Sequence, residues 1–185
     1  MYFELAIIVA IIVILILFKK REGANYFEEI FDGKSIEIDN INFDDLSFTP
    51  YRDVSAYPVY LNKQCSTKFP KLCASLQKMT DVTFAMLIKI PADTVMDKYR
   101  EGADISNNYI RNAKLLTNNT PDSCHIWVSG ETAHLNGWVS FDHSKKHTYM
   151  NKDEKECIIL VVDIARPDRI PPGKSQEPNI KMNLI

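Results

Sequence analysis

The chain reads as a mainly β domain, a small antiparallel barrel or double-sheet jelly roll with a short supporting helix, preceded by a single apolar N-terminal helix. Three observations predict this. Cys157 to Ile164 (CIILVVDI) is rich in β-branched residues and bounded by charges, the pattern of a strand buried on both faces. Short strand-like segments recur upstream of it, separated by Asn-, Gly- and Pro-containing turns. These strands follow one amphipathic helix, an order that suits a closed or double-sheet β architecture.

Taken in order, the chain opens with Leu5 to Phe18 (LAIIVAIIVILILF), an uncharged run extended by Met1-Tyr2-Phe3 and interrupted by Glu4. At the helical rise it spans about 21 Å, against a hydrocarbon core of roughly 30 Å. The flanks, with Lys19, Lys20 and Arg21 snorkelling, bring it within reach of a single span. A secretory signal fits worse, because no basic residue precedes the run and no small-residue cleavage site follows it. The basic triplet on the C-terminal side places the rest of the chain in the cytoplasm by the positive-inside rule. Residues 1–21 are therefore expected as a membrane anchor.

Residues 22–57 are acidic and irregular and read as a spacer. A short helix is expected over Tyr26 to Phe31 and an edge strand within Ser35 to Asp45. Residues 58–170 form the expected domain. Pro70 at a first helical position, followed by Leu72, Cys73, Leu76 and Met79, predicts a helix of two to three turns. Strands are expected at Val82 to Ile90, Tyr109 to Leu116, His125 to Ser129, Trp138 to Phe141, Lys146 to Met150 and Cys157 to Ile164. Asn151-Lys152-Asp153-Glu154 predicts a turn that makes the last two a hairpin, with His147 ending the strand before it and facing back across it. Residues 171–185, with Pro171, Pro172, Gly173 and Pro178, read as an extended tail.

The net charge of −2 gives no reason to expect nucleic acid as a partner. The four cysteines, Cys65, Cys73, Cys124 and Cys157, contain no CxxC pair, and a cytoplasmic setting predicts free thiols. No HExxH, GxSxG or GxGxxG occurs, so metalloprotease, hydrolase-elbow and dinucleotide readings lack support. Among the histidines, His125 is expected on an exposed strand face and His134 near a turn in solvent. His143 and His147, an even number of residues apart, fall on one side of an extended segment.

Phe141-Asp142, His147, Asn151, Leu160, Asp163, Ile164, Arg166 and Pro167 together resemble the C-terminal signature of the aspartyl/asparaginyl β-hydroxylase family. The likeness extends to Cys124 through Gly130 (CHIWVSG), Lys89-Ile90-Pro91 and Phe69 through Ala74, and so covers about Phe69 to Pro167. The anchor-then-domain layout is similar to the family's membrane-bound lipid A hydroxylase branch. The resemblance implies a double-stranded β-helix that uses Fe(II), O₂ and 2-oxoglutarate on a peptide or lipid substrate. Such chemistry needs imidazoles for a ferrous ion and a guanidinium fork for the cosubstrate carboxylate.

Carried over to this chain, His147 stands at the distal metal histidine. Tyr99 stands at the proximal one, within Lys98-Tyr99-Arg100-Glu101-Gly102. Arg111 matches an arginine on the cosubstrate side, with Ala113 at a histidine position two residues on. Cys157 replaces the arginine that would grip the 2-oxoglutarate carboxylate. Both the metal and the cosubstrate site are thus substituted. One expectation is a degenerate relative, a membrane-tethered binding or structural module with a protein partner. The second is an active dioxygenase in which His143 or Asp142 supplies a ligand and Arg111 or Arg166 takes the carboxylate. The third is thiol chemistry through Cys157 or Cys124.

Overall fold

A computed structural model of the chain describes residues 24–178 except 28, 29, 32, 62 and 121. The expected anchor at 1–21 lies outside the described residues, and no helix among those described is long and apolar enough to cross a membrane. The elements in chain order are β1 (Tyr26–Phe27), β2 (Thr49–Tyr51), β3 (Val54–Leu61), β4 (Gln64–Cys65), α1 (Pro70–Lys78), β5 (Val82–Ile90) and β6 (Thr94–Val95). They continue with α2 (Ala103–Ser106), β7 (Tyr109–Leu115), β8 (Cys124–Val128), β9 (Glu131–His134), β10 (Val139–Phe141), β11 (His147–Asn151) and β12 (Cys157–Ala165).

Among the described residues the strands make two antiparallel sheets. The larger runs β1-β10-β7-β12-β5-β3-β2, with β4 also on β3, and the smaller runs β6-β11-β8-β9. This is a jelly-roll arrangement, and β12 lies at its centre. Cys157, Ile159 and Val161 on one face of β12 join the cluster between the sheets. Ile158, Leu160, Val162 and Ile164 on the other face pack beneath α1. The strand is therefore buried on both sides, as its unbroken apolar run requires.

The turn before β12 does not make a hairpin. β11 pairs with β6 and β8 in the small sheet, while β12 pairs with β5 and β7 in the large one. The Asn-led turn carries the chain from one sheet to the other, and His147 opens β11 rather than closing it. Asn151 holds the corner: its side-chain amide donates to the Ile90, Pro91 and Lys155 carbonyls at 3.3, 2.9 and 2.8 Å. A side chain that satisfies three carbonyls does the work that a hairpin ladder would otherwise do.

Residues 22–57, expected as a spacer, supply β1, β2 and the first part of β3. Instead of an edge strand, Ser35 to Asp45 holds irregular chain and a 3-10 turn at Phe43–Asp45. Ile36, Ile38, Ile41 and Phe43 still pack on the cluster beneath α1, so their alternation reflects burial without pairing. Asp39 from this stretch caps α1, accepting from the Lys71 and Leu72 amides at 3.1 and 3.0 Å. A carboxylate there meets both the free N–H groups and the positive end of the helix dipole. Leu72 and Leu76 are fully buried by α1, each contributing about 1.5–3 kcal/mol of apolar burial.

Cys65 and Cys73 form a disulfide with Cα atoms 5.8 Å apart, contrary to the expectation of free thiols throughout. β4 ends beside the first turn of α1, so no rigid helix intervenes and the separation suits a disulfide. Cys124 and Cys157 are free and buried. The tail is extended over its described part, yet Ser175 is buried and its hydroxyl donates to the Glu101 carbonyl at 2.7 Å.

Candidate functional site

The period-two alternation that buries β12 also places Asp163 on the inner face, in line with Cys157, Ile159 and Val161. A carboxylate there needs a cation. Arg111, directly opposite on β7, supplies it. Its Nε and Nη2 donate to Asp163 Oδ1 and Oδ2, both at 2.8 Å, in a bidentate fork. Its Nη1 donates to Glu101 Oε1 at 2.7 Å. Glu101 Oε1 also accepts from the Tyr51 hydroxyl at 2.7 Å. Arg111 and Asp163 are 2% and 0% exposed.

The small sheet contributes the other half of the cluster. Tyr99 and His147 exchange backbone hydrogen bonds of 2.9 and 2.8 Å, and their ring centroids lie 4.3 Å apart. The His147 ring also meets Phe141 and Tyr149, at 5.4 and 6.1 Å between centroids. His147 Nδ1 donates to the Lys145 carbonyl at 2.9 Å. A carbonyl only accepts, so the proton sits on Nδ1 and Nε2 keeps its lone pair. That Nε2 is buried without a hydrogen-bond partner, as are Tyr99 Oη, Tyr149 Oη and both His143 ring nitrogens. His143 Nδ1 lies 3.6 Å from Asp163 Oδ1, beyond hydrogen-bond length. At the rim, the Arg52 guanidinium stacks on the Tyr99 ring at 3.9 Å and reaches to 3.7 Å from Glu101 Oε2.

Burial decides the charge states. It lowers His147 to about 4, with Glu101 opposing, and pushes His143 well below its ordinary value, aided by Arg111. Both imidazoles are neutral at pH 7. Burial raises the Tyr99 phenol well above its usual range, so it stays protonated. Burial alone would raise Glu101, but Arg111 and the histidines outweigh it and bring the carboxyl to about 2. Arg111 is held firmly cationic against burial by Asp163 and Glu101.

The sequence-predicted positions Tyr99, Arg111 and His147 thus converge on one interior. Cys157 faces the same inter-sheet core, buried in the apolar cluster that also holds Cys124, and makes no hydrogen bond or ion pair with the charged cluster. Asp142 is engaged elsewhere, accepting from Ser144 Oγ at 2.6 Å and Arg166 Nη2 at 2.9 Å. Arg166 also donates to the Pro171, Ser106 and Tyr109 carbonyls, so it clamps the tail to α2 and β7. His125 is buried beside exposed His134 instead of facing solvent, with ring centroids 5.5 Å apart. Among the described residues, no three His, Cys, Asp or Glu side chains gather as a metal would require.

Sequence reasoning missed Glu101, Tyr51 and Tyr149, and gave Asp163 no role. A charge inside an otherwise apolar strand was a usable signal for Asp163. Nothing in the local sequence around Tyr51 points to Glu101.

The fold and site define a double-sheet β protein whose interior holds a histidine, tyrosines and a charge-paired arginine. The model of the aspartyl/asparaginyl β-hydroxylase family matches residues 51–167, and the chain belongs to that family. No curated protein matches it. Similar solved structures include a 2OG-Fe(II) oxygenase family oxidoreductase from Burkholderia pseudomallei, with 10% identity, TM-score 0.49 and coverage of 71% of this chain and 78% of that one. A cupin domain of Schizosaccharomyces pombe Cnp3 matches at 8% identity and TM-score 0.45, covering 68% of each chain. A predicted oxalate decarboxylase from Thermotoga maritima matches at 10% identity and TM-score 0.44, covering 68% of this chain and 98% of that one. The strand pairing described above, not these likenesses, carries the fold.

Proposed function

We propose that this chain is a membrane-tethered member of the family in which iron and 2-oxoglutarate chemistry has given way to a closed, charge-paired interior. It acts as a binding or structural module for a protein partner. The observation that carries this reading is the engagement of Arg111. To grip the carboxylate of 2-oxoglutarate, its fork would have to leave Asp163 and strand a buried charge, at a cost of about 3–5 kcal/mol. Arg166 is equally committed, and Cys157 has no charge to offer. Fe(II) fits poorly as well: His147 Nε2 is a suitable donor, but its ring neighbour Tyr99 is a protonated phenol.

The apolar run at 1–21 supports tethering to a membrane. The Cys65–Cys73 bond favours an oxidising face of that membrane over the cytoplasmic face expected from Lys19, Lys20 and Arg21. Protease protection of the domain in sealed vesicles distinguishes the two faces.

One observation favours a second reading, an active dioxygenase hydroxylating a peptide or lipid through a rearranged site. His147 Nε2 and both His143 nitrogens are buried without hydrogen-bond partners, as donors awaiting a ligand would be. Anaerobic titration with Fe(II) or Mn(II), with and without 2-oxoglutarate, followed by succinate release, decides between them. Absence of binding and turnover is the expected result; stoichiometric micromolar binding with turnover overturns the module reading.

A further inference from the structure

We propose that Cys124 and Cys157 close a second disulfide, linking the small sheet to the large one near the Asn151 corner. This goes beyond the reading above and does not depend on it.

Cys124 opens β8 and Cys157 opens β12, and both are buried in the cluster between the sheets, at 2% and 0% exposure. Asn151 ties their surroundings together. It stands opposite Cys124 across β8 and β11, and its Oδ1 lies 3.5 Å from Cys124 Sγ. Its amide donates to the carbonyl of Ile90, the residue opposite Cys157 across β5 and β12. Across this Asn151 bridge each thiol acts on the other's charge state, Cys157 lowering the pKa of Cys124, and Cys124 together with burial raising that of Cys157. Cys65 and Cys73 are already joined, so the four cysteines fall into two separate pairs. A chain that forms the first bond in an oxidising compartment meets the same oxidant at the second.

The bond forms by exchange with a disulfide donor of the glutathione disulfide class. The Cys124 thiolate attacks one donor sulfur, forming a mixed disulfide and expelling a thiolate. Cys157, after losing its proton, attacks Cys124 Sγ and expels the second donor thiolate. Two protein thiols are oxidised, the donor is reduced to two thiols, and those take up the two protons. Because both sulfurs are buried, exchange proceeds during folding or through local opening of the β11–β12 corner.

The test uses the full chain in detergent, equilibrated with a mixed reduced and oxidised glutathione buffer, then denatured, alkylated with a maleimide and mapped by mass spectrometry. The expected result is a peptide linking Cys124 to Cys157 alongside the Cys65–Cys73 link, with no alkylated cysteine. In the Cys157→Ser variant, Cys124 becomes the alkylated residue and the other link is unchanged. Full alkylation of Cys124 and Cys157 while Cys65–Cys73 forms overturns the proposal and leaves two inert buried thiols. A link from Cys124 to Cys65 or Cys73 overturns it too.

Discussion

Arg111 and Asp163 sit opposite each other on the adjacent strands β7 and β12, joined by two hydrogen bonds of 2.8 Å with both side chains buried. Arg111 also holds Glu101, so replacing Arg111 strands two buried carboxylates, whereas neutralising all three removes the desolvation cost of each.

Arg111→Met, which strands the Asp163 and Glu101 carboxylates, is expected to destabilise the domain by about 3–5 kcal/mol, and the combined variant Arg111→Met, Asp163→Leu, Glu101→Gln to recover most of that loss. Urea denaturation checks this through a midpoint that falls in the single variant and returns in the combined one, at constant slope. A single variant with an unchanged midpoint would remove the pair from the core of the stability.

Acid should weaken the fold in two stages. His147 has its pKa lowered from 6.5 to about 4, so the unfolded chain binds a proton in that window while the folded one does not. Stability present above pH 6.5 is therefore lost as pH falls towards 4, by an amount on the order of 3 kcal/mol. Glu101, lowered from 4.5 to about 2, adds a further loss between those values as the pH falls through them. Denaturant midpoints measured from pH 4 to 8 test the first stage, and His147→Phe is expected to make it shallower, the remainder coming from His143, whose pKa burial also lowers.

Restoring the substituted positions should restore metal uptake. The Tyr99 ring lies tilted against the His147 ring, 4.3 Å between centroids, so Tyr99→His brings a second imidazole next to His147, and Cys157→Arg returns a guanidinium to the inner face. Anaerobic Mn(II) titration is expected to show binding by the double variant and none by the wild type. Equal uptake by both would point to ligands other than Tyr99.

The Cys65–Cys73 bond closes a short loop between β4 and α1. Its loss in Cys73→Ser is expected to cost about 2–3 kcal/mol by the loop-entropy relation, read as a lowered thermal midpoint in the variant and a smaller further drop on adding reductant than the wild type shows.

Much of the frame is legible in the residues themselves. The unbroken apolar run of β12, Pro70 opening α1, and the alternating segments at β5 and β7 depend on local periodicity, which neighbours in sequence carry. The motif from Phe141 to Pro167 carried the resemblance and His147, while Tyr99 and Arg111, which meet His147 in the interior, came from the family's upstream segments.

What each of those side chains does there was decided only in three dimensions. Arg111 is neutralised by Asp163, on a strand that passes beside it 52 positions later, and Glu101 binds a tyrosine 50 positions earlier. The Asn-led turn reads locally as a hairpin, yet the chain changes sheets there because β5 and β7 already flank β12. Asp39 caps a helix 32 positions away from an otherwise unstructured stretch. Periodicity sets which face a side chain occupies, while the identity of its partner depends on strand order and register, which only the packed whole specifies.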